Sequence, residues 1–192
     1  MGGFFGVVSE DDCSSDLFYG TDYHSHLGTC RGGLAVLDGG SFTRNIHDIS
    51  NTQFRSKFED DIQRMHGRSG IGVISDNESQ PLIIHSHLGV YAIATVGVIK
   101  NAAELTAGTF QQRITHFSEM SRGGINPTEL VATLINREAT FEDGIRHALD
   151  VIRGSCSVLV LTQDGIYAGR DKFGRTPIIV GQIGRASCRE RV

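Results

Sequence analysis

The sequence predicts an α+β domain in which layers of antiparallel sheet are covered by helices. Three observations point there. Strand-like and helix-like runs follow one another as sheet, helix, sheet, two helices, sheet, without the regular alternation of a doubly wound parallel fold. Short glycine-bearing links, Asp38-Gly39-Gly40 and Gln163-Asp164-Gly165, join apolar runs in the way hairpin turns do. The chain has 192 residues, 39% of them hydrophobic and 21% charged, which suits one domain with a sizeable core.

In order along the chain, residues 3–8, with Phe4, Phe5, Val7 and Val8, read as a short buried strand. Leu34 to Ile46 reads as a hairpin turning at Asp38-Gly39-Gly40. From Thr52 to Met65, Phe54, Phe58, Ile62 and Met65 recur at helical spacing, which predicts one amphipathic helix stopped at His66-Gly67. Ile71 to Ile99 is strand-rich, divided by a polar Asp76–Gln80 loop and a turn at Gly89. Two helices follow with clear starts: Asn126 as N-cap before Pro127 with Glu129 third in the helix, and Thr140 capping the next. Cys156 to Gly181 reads as three strands joined by turns at Gln163-Asp164-Gly165 and Lys172-Phe173-Gly174. The last nine residues, 184–192, break the pattern with three arginines and a cysteine. They are expected to be a non-native tail after a domain spanning 1–183.

Composition excludes several classes. A net charge of −4 with no basic stripe argues against nucleic acid. No apolar run nears the ~20 residues that span a bilayer, and the N-terminus lacks a signal peptide's basic flank, so a cytoplasmic location is expected. Met1-Gly2 does not complete a myristoylation signal, because residue 6 is glycine rather than Ser or Thr. The Asn77-Glu78-Ser79 glycosylation sequence has no use in a cytoplasmic chain. Cys13, Cys30, Cys156 and Cys188 form no CxxC pair and read as free thiols.

The local chemistry signals are thin. His24-Ser25-His26 and His85-Ser86-His87 would each put two imidazoles on one face of a strand, as a metal needs. No acidic third ligand accompanies the second pair, and surface or loop histidines are the commoner reading; no metal and no cofactor are expected. Cys30 beside Arg31, with His24 or His26 as base, could form an activated thiol, but a buried, inert cysteine is the stronger reading. The segments around Gly28–Gly33 and Ser121–Gly124 lack phosphate-loop spacing.

Five segments together carry a resemblance. They are the opening Met1–Val7, Arg31-Gly32, Gln80-Pro81, Ala92–Asn101 and Gly165–Gly181. In this order they resemble the class II glutamine amidotransferases, and the last stretch is similar to the amidophosphoribosyltransferases that begin purine synthesis. The resemblance covers residues 2–181 and implies the N-terminal-nucleophile hydrolase fold, a four-layer αββα sandwich of antiparallel sheets, here C-terminally incomplete.

In that family an N-terminal Cys attacks the glutamine side-chain amide with its own α-amine as base. A cation holds the substrate carboxylate, and an Asn-Gly pair forms the oxyanion hole. Position by position, the nucleophile falls on Gly2 and the Asn-Gly pair on Val96-Gly97. The segment with the carboxylate-binding Arg falls on Gly72–Ser75, where no Arg stands, and the amine-binding Asp falls on Pro127, with Glu129 nearby. The resemblance therefore implies a fold retained with its glutaminase site abandoned, a structural or regulatory module. Two alternatives stay open: an active enzyme using another nucleophile such as Cys30, and a sensor binding a small molecule in the former glutamine pocket. Arg31, Gly97, Glu129 and Asp171 are the candidate substrate-binding residues, although Asp171 and Arg31 read first as structural, Asp171 accepting from turn N–H groups. The resemblance also implies a C-terminal phosphoribosyltransferase domain as partner, and a homo-oligomer.

Overall fold

A computed structural model of the chain describes residues 2–28, 30–76, 78–111, 120–121 and 124–182. The strands are β1 (Gly3–Val8), β2 (Arg31–Asp38), β3 (Ser41–Asp48), β4 (Ser69–Ser75), β5 (Leu82–Ser86), β6 (Gly89–Ile99), β7 (Met120–Ser121), β8 (Gly124–Ile125), β9 (Gly154–Thr162) and β10 (Gly165–Arg170). The helices are α1 (Ser14–Tyr23), α2 (Phe54–Ile62), α3 (Ala102–Gln111), α4 (Pro127–Ile135) and α5 (Phe141–Val151), with a 3-10 turn at Ser25–Leu27.

Two four-stranded sheets, ordered β1-β4-β2-β3 and β10-β9-β6-β5, are antiparallel throughout. Three apolar layers stack around them. Leu17, Phe18, Phe54 and Phe58 of α1 and α2 pack with Leu34, Val36 and Ile74 on the outside of the first sheet. Ala35, Leu37, Ile71 and Val73 meet Ala92, Ala94, Val96, Leu159 and Leu161 between the sheets. Tyr91, Ile93, Val158 and Val160 on the outside of the second sheet pack against Val131, Leu134, Ile135, Ile145 and Ala148 of α4 and α5. Strand alternation makes this possible, since β6 sends Ala92, Ala94 and Val96 one way and Tyr91 and Ile93 the other. The result is the expected αββα sandwich.

Local signals account for the element ends. Gly39 and Gly40 both take positive φ at the β2–β3 turn, as a two-residue hairpin loop requires. Asn126 accepts from the Thr128 N–H at the start of α4, and Thr140 from the Asp143 N–H at the start of α5.

The structure corrects four expectations. Helix α2 ends at Ile62, and Met65 is buried beyond it rather than within it. His24 caps the C-terminal end of α1 and His26 lies in the 3-10 turn, so this pair is not on a strand. Helices α1 and α3 were not foreseen. Of the three strands expected after Cys156, two form; residues 171–182 have no strand, and Ile179 and Val180 stand 91% and 87% exposed.

Burial makes this core sensitive to alkali. It pushes the Cys13 thiol up to about 11 and the Cys156 thiol up to about 12, with the neighbouring carboxylates Asp12 and Asp171 adding to the effect. Both folded values lie above the ordinary thiol range, so this contribution to stability is whole below about pH 9 and is lost as pH rises through 11 to 12. Urea midpoints measured from pH 7.5 to 11 should hold steady and then fall, and Cys156→Ala should flatten part of the fall. A midpoint that declines equally in the wild type and in Cys156→Ala would contradict this assignment.

Candidate active site

The positions matched to the glutaminase machinery converge on one end of the sandwich. In the first sheet Gly3 lies opposite Ile74, which lies opposite Gly32, and Arg31 opposes both Ser75 and Asp48. Gly2, Ser75 and Arg31 therefore share the sheet's last row. Arg31 is a strand residue here rather than the tie of a turn.

The row is tightly closed around Gly2. A Cβ built there would lie well inside contact distance of the Ile74 carbonyl oxygen, 3.3 Å from its carbon and 3.5 Å from Ser75 Cα. The backbone of β4 thus crowds the place a side chain at residue 2 would start from. Ser75, 4% exposed, donates from Oγ to Glu78 Oε2 at 2.8 Å and accepts from the Glu78 N–H at 3.0 Å. His24 packs over Gly3 with its Nδ1 buried and without a hydrogen-bond partner among the described residues. Burial, with His26 nearby, holds its pKa below the ordinary histidine value.

Gln80 links this row to the second sheet. Its Oε1 accepts from the Thr95 N–H at 2.7 Å and its Nε2 donates to the Thr95 carbonyl at 3.0 Å. Thr95 Oγ1 in turn lies 2.7 Å from Thr128 Oγ1 at the start of α4, and Asn126 Nδ2 donates to the Ser79 carbonyl at 3.3 Å. Pro127 and Glu129 are thus brought to the same end of the fold.

Val96 follows Thr95 in β6 and is 7% exposed, with its side chain in the layer between the sheets. Gly97, at φ +154°, lies opposite Cys156 in β9, and a Cβ there would run into the Ser155 carbonyl. Asp171, 6% exposed, accepts from the Cys156 N–H at 3.1 Å and the Phe173 N–H at 2.8 Å. Its carboxylate thus fixes the rung facing Gly97 and the turn that follows β10.

Sequence reasoning missed Thr95 and Thr128 as members of this neighbourhood, and weighed His24 only as a metal ligand or a base for Cys30. Gln80 was visible only as a resemblance. Among the described residues no group of three or more His, Cys, Asp or Glu side chains could hold a metal, and no helix is long and apolar enough to cross a membrane.

Two facing antiparallel sheets between helical layers, with the N-terminal strand leading into the site row, define an N-terminal-nucleophile glutaminase type of domain. The chain belongs to the glutamine amidotransferase domain family, whose sequence pattern matches residues 66–188. It is 26% identical over 194 residues to the amidophosphoribosyltransferase of Methanocaldococcus jannaschii, an alignment covering 95% of this chain and 40% of the relative. The corresponding enzyme of Bacillus subtilis is 24% identical over 195 residues, covering 96% and 39%. Among solved structures, the B. subtilis glutamine phosphoribosylpyrophosphate amidotransferase in complex with ADP and GMP superposes with a TM-score of 0.74 at 23% identity, covering 89% of this chain and 37% of that one. A structure described as the allosteric regulatory enzyme of purine biosynthesis gives 0.75 at 22%, with the same coverage. The chain spans about 40% of the length of these curated relatives.

Proposed function

We propose that this domain comes from an amidophosphoribosyltransferase-like protein of purine biosynthesis and has a degenerate glutaminase site, so that it serves as a structural or regulatory module. The observation that carries the reading is the closure around Gly2: the nucleophile position holds no side chain, and the Ile74 carbonyl stands where one would begin. Val96 in the inter-sheet layer supports it, because a buried valine offers no donor to a tetrahedral oxyanion. The reaction needs a thiol, its base, a carboxylate clamp and two oxyanion donors. In this reading only the Gly2 amine and the Gly97 backbone N–H remain of that set.

The longer relatives suggest the partner. We assign a phosphoribosyltransferase domain elsewhere in the parent protein, able to use free ammonia, with this domain supporting fold and assembly. The setting we assign is the cytoplasm, where the thiols of Cys13, Cys30 and Cys156 stay reduced.

The test is ammonia release from glutamine by the purified chain and by Gly2→Cys. Both are expected to stay at the level of a heat-killed control, because the lost oxyanion donor alone accounts for roughly 100- to 1000-fold in turnover. Release by the wild type would reinstate another nucleophile, with Cys30 the first to replace. Turnover gained by Gly2→Cys would show that the carboxylate clamp and oxyanion donors are supplied by other residues.

A further inference from the structure

Two exposed patches of opposite charge lie on different layers of the sandwich, and each carries aromatic rings. The first is the outer face of α1. Residues 9–23 hold five acids, Glu10, Asp11, Asp12, Asp16 and Asp22, and no Lys or Arg. Asp16, Tyr19 and Tyr23 share the helix's solvent face by their i, i+3, i+7 spacing, with Tyr19 61% and Tyr23 74% exposed. Beside them a cleft of about 330 Å³ opens between α1 and α2, lined by Phe18 and Ile62 with Tyr19, Arg55 and Glu59. The Arg55 charge is offset by Asp22, whose Oδ2 accepts from Arg55 Nε at 2.7 Å, whereas Asp16 and Glu59 have no ion-pair partner among the described residues.

The second patch is the turn after β10. Arg170, Lys172 and Arg175 stand exposed there, and the one acid among them, Asp171, turns its carboxylate inward onto the Cys156 and Phe173 N–H groups. The Phe173 ring is 63% exposed, with Lys172 Nζ 5.5 Å and Arg175 Cζ 5.3 Å from its centre. None of the three cations has an ion-pair partner among the described residues. Further bonds set the shape of the turn. Gly174, at φ +59°, donates from its N–H to the Asp171 carbonyl at 3.0 Å, and Ser157 Oγ donates to the Thr176 carbonyl at 3.0 Å.

From these two surfaces we infer that the chain docks head to tail on a second copy of itself, the Phe173 ring of one copy entering the α1–α2 cleft of the next. Charge complementarity decides the occupant. A basic segment with an aromatic anchor is what the acidic α1 face fits, and this chain carries one. Lys172 and Arg175 flank the ring and arrive with it beside Glu59 and Asp16, while Tyr19 and Tyr23 offer ring faces to the same cations. Within one chain no ion pair joins the two patches among the described residues, since α1 and α2 cover the first sheet and the turn follows the edge strand of the second. The contact is heterologous: each copy gives its turn to one neighbour and its cleft to another, so copies build a ring or an open chain rather than a two-fold pair. The residues that make it are not among those matched to the glutaminase machinery, so it stands apart from the fate of that site.

Sedimentation velocity of the whole chain and of two double variants at about 50 mM salt tests this. One variant removes the contribution of the turn, Phe173→Ala with Arg175→Gln; the other removes that of the cleft, Tyr19→Ala with Glu59→Gln. The wild type should grow beyond a dimer with rising concentration, and about 500 mM salt should weaken the association about tenfold or more. Each variant alone should sediment as a monomer. Mixed in equal amounts, the two should form a one-to-one heterodimer and nothing larger, because each retains the surface the other lacks and the two disabled surfaces cap the ends. Should Tyr19→Ala unsettle α1, Asp16→Asn with Glu59→Gln takes its place with the same expected pairing. A wild type still monomeric at about 0.1 mM, self-association that survives in either variant, or a mixture that stays monomeric would each overturn the proposal.

Discussion

Gly33→Ala is expected to lower the melting temperature by about 6–12 °C, a large effect for a single added methyl. A Cβ at Gly33 would be driven into the Gln80 carbonyl oxygen, with the Gln80 carbonyl carbon at 2.8 Å and Pro81 Cδ at 2.9 Å. Those obstacles are backbone and ring atoms, which cannot rotate aside as a flexible side chain does. Overpacking of this kind costs about 3 kcal/mol or more when the surroundings cannot yield, and each kcal/mol moves the midpoint of a domain this size by about 2–4 °C. The segment that must give way carries Gln80, so the contact with Thr95 beside Val96-Gly97 should loosen with it. Gly108→Ala is the matched control: it sits in α3 with nothing within 4 Å, and should instead stabilise by about 0.5–1 kcal/mol. Calorimetric melts of the two variants should therefore move in opposite directions. Equal melts would show that the segment around Gln80 is free to retreat from β2.

Asp171→Ala carries the second large effect. The carboxylate serves two backbone donors, and the Cys156 N–H lies in a buried rung of β9 where water cannot replace it. Leaving a buried donor unsatisfied costs about 1–3 kcal/mol, so the loss of both bonds should remove about 2–5 kcal/mol. Asp171→Asn keeps the shape and one acceptor oxygen but turns its NH2 toward the other N–H donor, so it should lose about half of that or more while still melting above Asp171→Ala. Urea unfolding of the pair separates a structural carboxylate from a ligand-binding one. If Asp171 were held in reserve for a substrate, both variants would melt like the wild type.

Much of this fold was legible because its elements announce their own ends. Pro127 behind Asn126, Thr140 three residues before Asp143, and two glycines between apolar runs are local signals that tertiary structure had no reason to override. Helix α1 was hidden for the opposite reason. Its sequence, Ser14 to Tyr23, mixes Gly20 and Thr21 with few apolar residues, and both features depress helix propensity. The structure explains them: Gly20 gives the Phe5 ring room to pack, and Thr21 returns its hydroxyl to the Leu17 carbonyl. Helix α3 was left unassigned beyond the strand-rich run that ends at Ile99, although Ala102, Ala103, Glu104 and Leu105 behind Asn101 are good helix formers. The run Thr176 to Val180 shows the reverse error. It has strand composition, but strand propensity expresses packing on a neighbour, and among the described residues these form no strand pairing, the Thr176 carbonyl accepting from the Ser157 hydroxyl instead.

The site was legible as a set of positions rather than as a set of contacts. The match of Gly2, Val96 and Gly97 to family positions is what the resemblance implied. That the Ile74 carbonyl crowds Gly2, and that Val96 belongs to the layer between the sheets, depends on strands far apart in sequence.

The Gln80 carboxamide has one more consequence. Strand β5 pairs with β6 as far as Leu82 opposite Ile93, and the same register continued would set residue 80 opposite Thr95. The main chain has left the sheet by then, and the side-chain amide supplies the carbonyl and the N–H that a strand residue would have offered. An ordinary rung of a ladder is indifferent to residue type, because every residue but proline has the same two groups. This rung is spelled in a side chain, so only a carboxamide of the right reach can complete it, and a glutamate would face the Thr95 carbonyl with a second acceptor. A stretch of sheet that is normally anonymous in the sequence becomes, at this one position, a letter that can be read.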